Sequence, residues 1–132
     1  MPPPIRPRRD RDYPAEFKAV EQVELAQRRQ RNGIDPAAPV VGMALSGGGI
    51  RSATFCLGLF QALARHGFIR RLDYLSTVSG GGYFGTFLGC AFAREGGSAD
   101  SVEQELANNH SWSVNWLREN GRFLSPNGAG DN

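Results

Sequence analysis

Lysine is nearly absent from this sequence: fourteen of the fifteen basic residues are arginine, and only Lys18 is lysine. The skew reads as coding preference before phosphate recognition, because thirteen acidic residues leave a net charge of only +2. So small an excess argues against nucleic acid or any polyanionic partner. Cysteine is scarce too. Cys56 and Cys90 both lie in apolar stretches with no cysteine or histidine at metal-binding spacing, so they read as buried free thiols. Free thiols fit a reducing, cytoplasmic setting. A long hydrophobic run is also missing. The longest, Tyr83 to Ala93, is about half of what a membrane-spanning helix needs. No apolar segment follows Met1 in MPPPIRPRRDRDYP, so no secretory signal is expected, and any membrane contact should be peripheral.

What remains is a chain of 132 residues, 40% of them apolar, with seventeen glycines. That length suits one small domain or a piece of a larger one. Residues 1–13 are rich in proline and arginine and predict a loosely held leader. Pro14 is placed to open a helix and Gly33 to close it, with Phe17, Val20 and Val23 as a thin apolar stripe suited to docking on something else.

From residue 39 onward the pattern becomes that of an α/β unit. Val40 to Leu45 is an apolar run without polar alternation, as in a strand buried on both faces of a parallel sheet. Ser46-Gly47-Gly48-Gly49 breaks it. Cys56, Leu59, Phe60 and Leu63 then recur at helical spacing until Gly67. A second strand is predicted over 73–78, followed by Ser79-Gly80-Gly81-Gly82 and a helix to Arg94 that is apolar nearly all round. Such a helix is normally buried inside a larger domain. Asp100 with Glu103 predicts a cap for a short helix reaching about Asn109. Another helix is expected over 113–120, with Trp112 and Trp116 on its apolar side, and Ser125-Pro126-Asn127-Gly128 reads as a turn.

Both glycine-rich turns join the end of a parallel strand to the start of a helix, and adjacent parallel strands put them on one edge of the sheet. Ser79 follows Gly47 by 32 residues, about the length of one helix plus one strand. A serine on a sharp strand-to-helix turn is the arrangement of a nucleophile elbow, usually written G-x-S-x-G. Here the turn reads Thr77-Val78-Ser79-Gly80-Gly81, with threonine at the first glycine. Attack on an ester carbonyl puts negative charge on its oxygen, and backbone amides at a helix N-terminus stabilise that charge without reorganising. Gly47, Gly48 and Gly49 are candidates for those donors, and Gly80 adds one after the nucleophile. A phosphate-binding Walker loop is excluded by the lack of lysine, and a dinucleotide loop by Ser52 where glycine is required.

Taken together, Gly42-Met-Ala-Leu-Ser-Gly-Gly-Gly-Ile-Arg-Ser-Ala53 and Tyr74-Leu-Ser-Thr-Val-Ser-Gly-Gly-Gly-Tyr83 resemble the patatin-like phospholipase family over residues 40–95. The resemblance implies a three-layer α/β/α fold with a mostly parallel central sheet, of which the chain carries the first βαβ unit and flanking helices. It implies a serine acyl-ester hydrolase that acts on lipids at a peripheral membrane or lipid surface through a Ser–Asp dyad. No metal or organic cofactor is implied. Ser79 matches the family's nucleophile, Gly47 to Gly49 its oxyanion loop, and Arg51 the basic residue that follows the loop. Arg51 suits either a phosphate headgroup or bracing of the loop. Two positions depart from the pattern: Ser52 replaces the last glycine of the loop and Thr77 the first glycine of the elbow. The family's aspartate lies in a D-G motif downstream, and no aspartate in this chain precedes a glycine, so the base is unassigned and the chain is expected to be the front part of a longer domain. His66 and His110 are the only imidazoles and read as helix-end and loop residues. Two further readings stay open: a catalytically inactive remnant that binds lipid or a partner, and a Ser-His-Asp α/β-hydrolase fragment whose H-G-G-G motif would have Ser46 at the histidine position.

Overall fold

A computed structural model describes residues 13–121, which form two compact units divided after Ala38. The expected leader, save Tyr13, and the expected turn at 125–128 lie outside the described residues.

The first unit is built on α1 (Ala15–Arg31). Pro14 stands at its N-cap, where a missing N–H costs nothing. Asn32 closes it, followed by Gly33 at φ 66°. Arg29 reaches past the helix end to donate to the carbonyls of Ala38 at 2.7 Å and Pro36 at 3.4 Å, which folds the following turn back on the helix. α1 buries none of its residues, and Phe17, Val20 and Val23 are exposed.

The second unit alternates strand and helix: β1 (Gly42–Leu45), α2 (Gly49–Arg65), a 3₁₀ turn at Ile69–Arg71, β2 (Tyr74–Thr77), α3 (Gly80–Ala93), α4 (Ala99–Ala107) and α5 (Trp112–Asn120). β1 and β2 pair in parallel with Gly42 opposite Tyr74 and Leu45 opposite Thr77. This is a mixed α/β arrangement with a two-stranded parallel sheet among the described residues. The strands are shorter than the sequence suggests, because only paired residues keep the ladder. Val40 and Val41 are exposed, and β1 buries only Leu45 fully. The expectation of a strand covered on both faces therefore fails for β1.

α2 is the hub. Its stripe of Cys56, Leu57, Phe60 and Ala64 is buried, and it meets α3 on one side and α4 on the other. Phe60 and Phe84 are both fully buried with ring centroids 4.8 Å apart, joined in the core by Leu106, Val102 and Val114. Tilted aromatic pairs of this kind add to the area they remove from water. α3 buries Phe84, Leu88 and Ala91 on this side but leaves Thr86, Gly89 and Cys90 exposed. The all-apolar helix is thus half open, and Cys90 is not the buried thiol its surroundings suggest, whereas Cys56 is.

α4 begins differently from expectation. Ser98 is its N-cap, accepting from the Ser101 amide at 3.2 Å, while Ser101 Oγ accepts from the Ser98 amide at 2.9 Å. Asp100 and Glu103 face Arg70 instead. The Arg70 side chain donates to Glu103 at 2.6 and 3.1 Å and to Asp100 at 2.5 Å, and the Arg70 amide donates to Glu103 at 3.0 Å. These carboxylates, Glu103 first, hold the guanidinium above its ordinary range. The cluster pins the 3₁₀ turn to α4, and Glu103, though buried, keeps both oxygens satisfied. Among the described residues, no helix is long and apolar enough to cross a membrane.

Candidate active site

Ser79 follows β2 and caps α3, and its backbone is held at φ 52°, ψ −120°. It is the one non-glycine residue with positive φ among those described. Side chains avoid this region, at a cost of about 1–3 kcal/mol, unless the surroundings impose it. Here they do. The Val78 amide is held by Leu45 at 3.0 Å, the Gly81 amide by Val78 at 3.0 Å, and the Tyr83 amide by Ser79 at 3.0 Å, so the chain must turn from strand to helix within a single residue. The turn thrusts the Ser79 side chain out of the sheet edge, where it is exposed.

Such a turn closes only because its neighbours lack side chains. A Cβ on Gly80 would overlap the Gly49 carbonyl oxygen, and one on Gly81 would sit 2.7 Å from that of Leu45. Both distances fall inside van der Waals contact with backbone, which cannot move aside. Thr77, at the elbow's first position, has its methyl group against Gly85 of α3, where a Cβ would come within 2.7 Å. The space that a glycine at 77 would provide is thus made by the helix across from it.

The register brings the first turn beside the second, with a Cβ on Gly47 placed 3.2 Å from Ser79 Cβ and 3.8 Å from its Oγ. The loop passes the serine as bare backbone. Gly48 (φ 142°) caps α2, and Gly49 (φ 59°) is its first residue. The amides of Gly49 and Gly80 open their helices and have no intrahelical acceptor. Those of Gly47 and Gly48 likewise donate to nothing among the described residues. Ser52, in place of the loop's last glycine, bolts the turn shut: its Oγ donates to the Ser46 carbonyl at 2.5 Å. Arg51 is exposed, and its side chain makes no hydrogen bond or ion pair with the described residues.

A pocket of about 530 Å³ opens at Ser79 and runs between α3 and α5. That volume lies within the usual range of small-molecule sites. Its wall is mainly apolar, and among the described residues no aspartate, glutamate or histidine belongs to it. Trp112 and Trp116 face it from α5 and stay 74% and 44% exposed, while Ser113, Val114 and Leu117 form that helix's buried side. Sequence reasoning placed both tryptophans on an apolar face but had no signal that this face lines the cleft. His66 ends α2 and His110 lies in the turn before α5; both are exposed and neither lines the pocket.

Chemically, the arrangement offers an exposed hydroxyl, unpaired amides beside it and an apolar trough leading away. Compared with family models, curated proteins and solved structures, the chain matches none. The reading of the site therefore rests on its own geometry. Four of the five residues expected to act together, Gly47, Gly49, Gly80 and Ser79, meet through contacts that the intervening glycines permit, and Gly48 links two of them along the chain. A proton acceptor for Ser79 is not among the described lining residues.

Proposed function

We propose that the chain carries the nucleophile and oxyanion loop of a serine acyl-ester hydrolase acting on lipids, of the patatin-like type, on the opening unit of a three-layer α/β/α fold. The observation that carries this reading is the strained backbone of Ser79 beside the bare backbone of Gly47. Strain of this kind persists where a side chain must be presented rather than packed. In the reaction, Ser79 Oγ attacks the ester carbonyl as its proton passes to a base. The oxygen that gains charge is met by amides drawn from Gly47, Gly48, Gly49 and Gly80, and loss of one such donor typically costs about 3 kcal/mol of transition-state stabilisation. The C–O bond then breaks, the alcohol leaves with the proton, and water releases the acyl group from the serine. The base of this dyad is an aspartate that the described residues do not bring to Ser79. Arg51, unengaged, suits a phosphate headgroup at a lipid surface reached from the cytoplasm.

Without the base, the serine hydroxyl is a weak nucleophile. The 132-residue chain alone is expected to show no esterase turnover but slow, stoichiometric labelling of Ser79 by a fluorophosphonate, faster as pH rises because hydroxide removes the proton. Mass spectrometry of the labelled peptide checks this, with Ser79→Ala as control. Labelling that persists in Ser79→Ala, or never reaches Ser79, removes the proposal. That the described residues bring no carboxylate to Ser79 also favours a second reading, a lipid-binding chain without catalysis, which predicts ligand binding with no labelling at all.

A further inference from the structure

We propose that the trough between α3 and α5 receives a single straight acyl chain running away from Ser79, and that the Arg94–Glu105–Ser113 cluster at its far end sets the longest chain it holds. This rests on the lipid-ester reading of Ser79. Ser79, Tyr83, Phe87 and Ala91 follow one another at four-residue steps along α3 and line the pocket. Gly82, Thr86, Cys90 and Arg94 form the neighbouring row at the same spacing. Two adjacent rows of this kind leave a furrow inclined by about 26° to the helix axis. Fifteen residues separate Ser79 from Arg94, or roughly 22 Å of helix. That is the scale of an extended long-chain acyl group.

The far end is polar, with the Arg94 side chain about half exposed. Arg94 Nη2 contacts Glu105 Oε2 at 2.6 Å, Arg94 Nη1 donates to Ser113 Oγ at 3.3 Å, and Ser113 Oγ donates to Glu105. A guanidinium engaged in this way offers little to a phosphate, and among the described residues it is the only charged group on the pocket wall. The trough therefore suits the tail of the substrate rather than its headgroup. A methyl end that reached this cluster would have to cover charged groups now in contact with water, and desolvating them is unfavourable. Trp112 and Trp116, both exposed, supply the apolar wall that a tail would cover.

These are the only two tryptophans in the chain, so its indole fluorescence comes from the trough alone. The test titrates the chain with straight fatty acids brominated at the terminal carbon, from butyric to stearic, and follows quenching. Affinity is expected to rise about fourfold per methylene and then level off when the tail reaches Arg94. Cys90→Phe, at an exposed position, should move that plateau to shorter acids and leave butyric acid unaffected. Thr86→Phe, also exposed and one turn nearer Ser79, should move it further. Circular dichroism identifies a variant that fails to fold, in which case the other decides. Identical length dependence in wild type and folded variants, or no quenching at any length, overturns the proposal. A short methyl fluorophosphonate run alongside separates the two ideas: Ser79 labelling without quenching sinks the trough and spares the hydrolase reading. Length-limited quenching without labelling does the reverse.

Discussion

The same four residues, Ser-Gly-Gly-Gly, occur at 46–49 and again at 79–82, each after a parallel strand and before a helix, yet the two copies do different things. In the second copy the helix starts immediately after the serine, so the whole reversal falls on Ser79 and its side chain is pushed outward. In the first copy the helix waits until Gly49, positive φ falls on Gly48 and Gly49, and Ser46 is left with no positive φ to bear. A two-residue delay in helix start converts a device that displays a hydroxyl into one that displays amides. The difference is set by room: Gly80 and Gly81 are pressed against Gly49 and Leu45, whereas nothing lies within 4 Å of where a Gly49 side chain would begin.

The sharpest way to break this comparison is to put the same methyl group into each copy. Gly80→Ala should destabilise the chain by about 3 kcal/mol or more, since its Cβ meets immovable backbone. Gly49→Ala should cost only about 1–2 kcal/mol, the penalty of a left-handed conformation without a clash. Urea unfolding of both variants checks the ranking, and equal losses would show that conformation rather than room separates the turns.

Much of this contrast was legible beforehand. The strand–loop–helix order, the placement of the serine, the glycine-rich turns and the shared sheet edge all follow from spacing and turn chemistry. Other features depend on partners distant in sequence. Nothing near Thr77 announces that Gly85 makes its room, nor does Asp100 reveal that it will face Arg70 while Ser98 takes the cap. The exposure of Cys90 was misread for the same reason: an apolar neighbourhood along a helix does not say which face a second helix leaves open.

Smaller effects refine the comparison. Ser52→Gly restores the glycine the loop pattern lacks but removes the bond to the Ser46 carbonyl. The first turn should then loosen by about 1 kcal/mol, read as a lower midpoint of urea unfolding. Ser79→Gly should act in the opposite direction. It relieves the strained φ and raises stability by up to about 1 kcal/mol, while Ser79→Ala leaves stability near wild type. Thermal unfolding of the pair separates backbone strain from loss of the hydroxyl. Tyr83→Phe removes a buried hydroxyl that has no partner among the described residues, and a gain of about 0.5–1 kcal/mol is expected.

The parallel pair that brings the two turns together has a consequence of its own. Each strand has one partner strand among the described residues, and exposed Val40, Val41 and Val78 border the pair. Strands with an open side recruit other strands. In concentrated solution the chain should self-associate by adding copy to copy along the sheet, and a charged residue at Val41 or Val78 should keep it monomeric.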